Sequence, residues 1–159
     1  MATVRAIGIG EWRVTNDREE VIKTFALGSC LAVVVHDRAG IGGMVHVALP
    51  DSTTDADASG KPEAYYADRA LPVLFAEMLG LGSSLRKIQI KLVGAADSRC
   101  EGDLFNIGKR NILAVKRLLW SRGLGIVAED TGGVMSRTVE FRVGDGCLTI
   151  RSNGDRRNL

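Results

Sequence analysis

Apolar positions along the chain fall mostly into short runs of strand length separated by glycine-bearing turns, with two longer stretches at helical spacing. Residues 21–26 and 31–37 are rich in β-branched and apolar side chains, which favours strands, and Leu27-Gly28-Ser29 between them reads as a tight turn. After the short connection Arg38-Ala39-Gly40, residues 42–49 resume the apolar pattern, the signature of a hairpin. Ala67, Ala70, Leu71, Leu74, Phe75 and Met78 recur at helical spacing, predicting an amphipathic helix that Gly80 ends. Pro72 lies inside that pattern, so this helix either starts near Ala70 or bends where proline removes a backbone donor. Residues 88–93 alternate like a strand. Ile112, Val115, Leu118 and Leu119 mark a second helix over about 106–122, capped by Asn106 and closed by Gly123. Residues 126–128, 138–143 and 147–151 read as further strands, the last two joined through Gly144-Asp145-Gly146.

Strands outnumber helices and the turns imply antiparallel pairing, so the expected class is α+β, with two helices covering a mixed or antiparallel sheet and a second sheet layer beyond it. Residues 50–63, made largely of Asp, Ser, Thr, Ala, Gly and Pro, are expected to form a long loop available to a partner. The 159 residues fit one domain spanning 1–159. With 45% hydrophobic and 25% charged residues, disorder throughout is excluded. The net charge of +2 comes from scattered signs and only residues 151–157 lean basic. Residues 151–159 are therefore expected to be a flexible basic tail, and a nucleic-acid partner is not expected. The longest clean apolar run, 31–35, is far short of the roughly 18 residues a membrane helix needs. The start Met1-Ala2-Thr3-Val4-Arg5 lacks a secretory pattern, and three cysteines without a Cys-x-x-Cys pair suit a reducing compartment. The expected location is cytoplasmic.

Cys30 stands apart from Cys100 and Cys147 because it directly follows the glycine turn. There, backbone N–H groups of Gly28 and Ser29 can face whatever the sulfur attacks, a candidate oxyanion hole. Cys100 in a polar stretch and Cys147 in a terminal strand have no histidine nearby in sequence and are read as structural. Of the two histidines, His36 lies on the same strand as Cys30, on the order of 20 Å away. A hairpin closed at residues 38–40 instead sets His46 across from Ala32 and close to Cys30. A thiol is only partly ionised at neutral pH and an imidazole is its usual activator. Thr24, on the strand entering the turn, can orient that ring. Gly40-Ile41-Gly42-Gly43-Met44-Val45 fails as a dinucleotide fingerprint because no helix follows it. The papain signature lacks its preceding cysteine and following aromatic, Gly28-x-Cys30 is not followed by the glycine of a hydrolase elbow, and no zinc-ligand spacing is present. No metal or cofactor is expected.

The stretches Thr24-Phe25-Ala26-Leu27-Gly28-Ser29-Cys30 and Gly42-Gly43-Met44-Val45-His46-Val47-Ala48-Leu49-Pro50 resemble the defining segments of the CheD family of chemoreceptor glutamine deamidases. Asn106-Ile107-Gly108-Lys109-Arg110-Asn111 and Ala128-Glu129-Asp130-Thr131-Gly132-Gly133 resemble two more, in the same order. The resemblance carries that family's cysteine, histidine and threonine onto Cys30, His46 and Thr24. Residues 94–100 depart from the family pattern, and Pro72 has no place in it. The resemblance implies a three-layer α/β/β sandwich similar to the catalytic domain of cytotoxic necrotizing factor. It implies hydrolysis of glutamine side chains in methyl-accepting chemotaxis proteins to glutamate, and for some relatives binding of the phosphatase CheC. A non-catalytic adaptor for CheC, and a general small-molecule amidase, are the competing expectations.

Overall fold

A strand with consecutive apolar residues must be covered on both faces, and the run Leu31-Ala32-Val33-Val34-Val35 is the clearest such segment in the chain. In the computed structural model, which describes residues 1–97 and 106–159, this run is strand β4 (Leu31–Asp37), buried at every position but His36. The other strands are β1 (Thr3–Ala6), β2 (Trp12–Thr15), β3 (Glu20–Leu27), β5 (Gly42–Val47), β6 (Ile88–Gly94), β7 (Ala128–Thr131), β8 (Arg137–Arg142), β9 (Leu148–Ser152) and β10 (Asp155–Asn158). The helices are α1 (Ala67–Gly80) and α2 (Ile107–Ser121), with a short 3-10 turn at Ala58–Gly60.

Two five-stranded sheets result, in the orders β1-β3-β8-β9-β10 and β2-β5-β4-β6-β7. Both are mixed: β1 runs parallel to β3 and β6 parallel to β7, while the other pairs are antiparallel. Leu31, Val33 and Val35 of β4 join Leu71, Leu74, Met78, Val115 and Leu119 of the helices in one apolar core. Ala32 and Val34 face the other way, into a second core with Ile22, Val139, Phe141 and Ile150 of the other sheet. The architecture is α+β, with both helices on one face of the β4 sheet and the second sheet on its other face. No described helix is long and apolar enough to cross a membrane.

Several sequence expectations change here. The turn after β3 is not a hairpin: β3 and β4 belong to different sheets, so residues 28–30 carry the chain from one layer to the next. Strands β1 and β2 were not anticipated, because four-residue edge strands carry too little periodicity. Helix α1 starts at Ala67 and runs through Pro72. Asn106 does not cap α2: it is left-handed (φ 50°, ψ 52°) and its side chain makes no capping bond, since a cap needs extended backbone to aim its oxygen at the first turn. Strand β7 lies two residues later than expected. The supposed flexible tail forms β10, paired to β9 and tied to β7 by Arg157, which donates to Asp130 at 2.6 Å. The 50–63 segment is loop, but Ser52 donates twice to Asp68 and Tyr66 donates to Asp55. Cys100 and the end of the divergent segment 94–100 lie outside the described residues.

Candidate active site

The alternation of β3 breaks at its end: Thr24 and Leu27, three positions apart, are both buried, while Phe25 and Ala26 between them are exposed. A bulge produces this, with Ala26 left-handed at φ 50° and the pairing with β8 shifting between Thr24 and Leu27. The bulge returns Leu27 to the face that Thr24 already shares with Glu20 and Ile22 by alternation, the face toward the neighbouring sheet. There His46, on β5, pairs with Ala32 of β4, and paired residues share a face. Ala32 faces the second core, so His46 does too, and the ring is only 3% exposed. Cys30 sits just ahead of β4 on that same face, half-buried against the edge of the second core. Extending the β4–β5 register by one residue makes it the diagonal neighbour of His46, a relation that spaces residues by roughly 7–8 Å.

Thr24 Oγ1 lies 2.8 Å from His46 Nδ1 and 2.9 Å from the carbonyl oxygen of Ile7. A hydroxyl has one proton. The Ile7 carbonyl can only accept, so Thr24 gives it that proton and accepts from Nδ1–H. This fixes the ring's tautomer, with the lone pair on Nε2, to which no described residue donates a hydrogen bond. Burial pushes the His46 pKa down to about 4 and pushes the Cys30 thiol up. Both shifts favour the neutral forms, thiol and imidazole.

The turn that carries Cys30 is held by its carbonyls. Ala96 N–H donates to Gly28 O at 2.8 Å and Ala95 N–H to Cys30 O at 2.7 Å. The Asn111 side-chain amide donates to Ser29 O and to Ala48 O, both at 3.0 Å. The N–H groups of Gly28, Ser29 and Cys30 make no hydrogen bond among the described residues. Gly28 is not left-handed, and a Cβ there would meet nothing within 4 Å, so the space beside that residue is open. The glycine the geometry does demand is Gly94, at φ 116°, where a Cβ would stand 2.5 Å from Cys30 O. Gly94→Ala should destabilise the fold by at least about 2 kcal/mol, read as a lower urea midpoint. An unchanged midpoint would contradict the close approach.

The remaining candidates lie apart. His36 pairs with Gly42 at the far end of β4, its Nε2 3.0 Å from Val143 O. Cys147, half-buried, precedes β9, where its N–H donates to Asp145. Among the described residues, no three His, Cys, Asp or Glu side chains converge as a metal would need. Sequence reasoning passed over Gly94, Asn111 and Arg137. Arg137, on β8, is 7% exposed; it pairs with Asp130 and donates to Gly94 O and Gly132 O, tying the two sheets together beside the turn. The sequence signal was that Asn111 and Asp130 fall in two of the four segments that resemble the family, and that Gly94 opens the segment that departs from it.

The family model described as "CheD chemotactic sensory transduction" matches residues 48–152. A probable chemoreceptor glutamine deamidase CheD of Syntrophotalea carbinolica is 44% identical over 93% of both chains. The chemoreceptor glutamine deamidase CheD of Thermotoga maritima is 42% identical over 94% of this chain and 92% of its own. Both matches are long enough that residues 24–46 fall inside them. In fold, the chain is similar to a crystal structure of a Neisseria meningitidis protein described under the family name DUF152, with TM-score 0.51 and 15% identity. The match covers 83% of this chain but spans only 64% of that one.

Proposed function

The chain belongs to the CheD family, and from that premise we propose that it is a chemoreceptor glutamine deamidase, with Cys30 as nucleophile, His46 as its base and acid, and Thr24 orienting the ring. The observation that carries the assignment is the Thr24 hydroxyl bound between Ile7 O and His46 Nδ1. It leaves Nε2 unprotonated on the face that Cys30 shares.

As the sulfur attacks the carboxamide carbon of a receptor glutamine, Nε2 takes the thiol proton, because a thiol raised by burial does not ionise beforehand. The S–C bond forms and the carbonyl oxygen takes up the electron pair. The free N–H groups of the Gly28 to Cys30 turn stabilise that oxyanion. The imidazolium then protonates the departing nitrogen, ammonia leaves and a thioester remains. A water, deprotonated by Nε2, attacks the thioester; the sulfur departs with the proton and the side chain is now glutamate. Thr24 carries no charge, so its part is to hold the tautomer rather than to stabilise the imidazolium. Thr24→Val, nearly isosteric, should lower kcat by about 10- to 100-fold, and Thr24→Ser should restore most of it. Equal activity in all three proteins would remove Thr24 from the site.

The reading is tested by incubating the protein with a receptor cytoplasmic fragment and mapping amide-to-acid conversion by peptide mass spectrometry. Conversion of discrete glutamines supports it, and hydrolysis of free glutamine with no change in the fragment would favour a small-molecule amidase. In this reading the protein is a single cytoplasmic domain whose layers are similar to the catalytic domain of cytotoxic necrotizing factor. CheC, where an organism has it, competes with receptor for the same surface.

A further inference from the structure

In a trans peptide unit the C=O and N–H point in opposite directions, so whatever holds the carbonyl also aims the N–H. The Ser29 carbonyl and the Cys30 N–H belong to one such unit. Ser29 O is held by the side-chain amide of Asn111, which turns the Cys30 N–H away from α2. The preceding unit is set in the same way, with Ala96 N–H on Gly28 O directing the Ser29 N–H. One of these anchors is main chain, the other a single replaceable side chain.

That side chain reaches further. Its second N–H donates to Ala48 O, two residues beyond His46 on the extension of β5. One carboxamide therefore bonds both the turn of Cys30 and the exit of the histidine's strand, whose spacing the β4–β5 pairing already sets. Its orientation is unambiguous: both partners are carbonyls, so both contacts require N–H donors. Asn111 is fully buried, and its Oδ1 has no partner among the described residues. A buried acceptor left unpaired is costly, and the fold accepts that cost where the two donors are used. Asn111 comes this close because Gly108 lets the first turn of α2 lie against residues 95 and 96; a Cβ there would meet Ala95 O at 2.7 Å and Ala96 O at 2.9 Å.

We propose that Asn111 is a positioning residue for the oxyanion site: by holding the Ser29 carbonyl it aims the Cys30 N–H at the oxygen of the reacting carbonyl. It acts on stabilisation of the oxyanion and not on the nucleophilicity of the sulfur. This rests on Cys30 being the nucleophile.

Two probes separate those effects. p-Nitrophenyl acetate acylates a thiol through attack at a carbonyl carbon: the S–C bond forms, negative charge collects on oxygen, and p-nitrophenolate leaves. Iodoacetamide alkylates it by displacing iodide at a saturated carbon, with no charge on oxygen. Both rates are followed at Cys30 by peptide mapping, so that Cys100 and Cys147 do not contribute. Asn111→Leu should slow acylation by about 100-fold while alkylation stays within about threefold of wild type. Asn111→Ser, which keeps one donor, should fall between, and it carries the test if the leucine variant does not fold. Val115→Ala, a core substitution one helical turn away, controls for general loosening and should leave the ratio of the two rates unchanged. A parallel fall of both rates, or no fall in acylation, overturns the proposal. Neither probe is a glutamine, so a wild-type protein that acylates but converts no receptor glutamine would count against the deamidase reading alone, and the ratio would still decide the role of Asn111.

Discussion

Cys30→Ala should lose deamidation of a receptor fragment by at least about 10^4-fold, since removing a nucleophile leaves only the contribution of binding and oxyanion stabilisation. The loss would not be a folding effect. Cys30 is half-buried and packs only at the edge of the second core, so removal of one sulfur there should shift the urea midpoint little. Cys30→Ser is the sharper control: it keeps a nucleophilic atom, but a hydroxyl ionises far less readily than a thiol, so it too should be nearly inactive. The fragment is incubated with each protein and converted glutamines are counted by peptide mass. Activity of the alanine variant within tenfold of wild type would take Cys30 out of the chemistry.

His46→Gln should cost about 10^3- to 10^4-fold in kcat/KM, and the pH profile says how the ring works. An ordinary histidine titrates near 6.5, and a base of that kind would lose about 30-fold in rate between neutral pH and pH 5. His46, buried and held near 4, should keep kcat/KM nearly flat over that interval. The same shift appears in stability. Below about pH 6.5 the unfolded chain binds a proton that the folded ring refuses until about pH 4. The stability contributed by the neutral ring is therefore complete above 6.5 and is lost as the pH falls toward 4, by about 3 kcal/mol. His46→Gln lacks that term, so urea midpoints at pH 7 and pH 4.5 should differ more in wild type than in the variant. A wild-type rate that drops 30-fold by pH 5 would mean a solvated ring and a different proton path.

Four segments of the sequence resemble one family, and the structure gives two of them a physical content that spacing alone could not. In Asn106-Ile107-Gly108-Lys109-Arg110-Asn111, the left-handed Asn106 and the close-packed Gly108 bring Asn111 onto the turn of Cys30. In Ala128-Glu129-Asp130-Thr131-Gly132-Gly133, Asp130 pairs with Arg137 and Arg157, and Gly132 O accepts from Arg137. Asn111 reaches Ser29 across 82 residues and Arg157 reaches Asp130 across 27, while the Arg137 contacts bridge the connection between β7 and β8, and no periodicity records any of them.

What the sequence determined by itself was local. The hairpin connection at residues 38–40 sets the pairing of Ala32 with His46, because register follows from the turn and from which face must be buried. The helical stripe of α1 and the doubly buried run of β4 follow from the same patterning. The tertiary structure alone decided that the turn after β3 crosses between sheets, that the packing of one sheet on the other brings Thr24 to the ring, and that residues beyond 151 pair as a strand. It also decided the protonation of the site: how far His46 and Cys30 are withdrawn from water depends on the sheet packed over them, and burial acts on the charged form of a group whatever residues flank it in sequence.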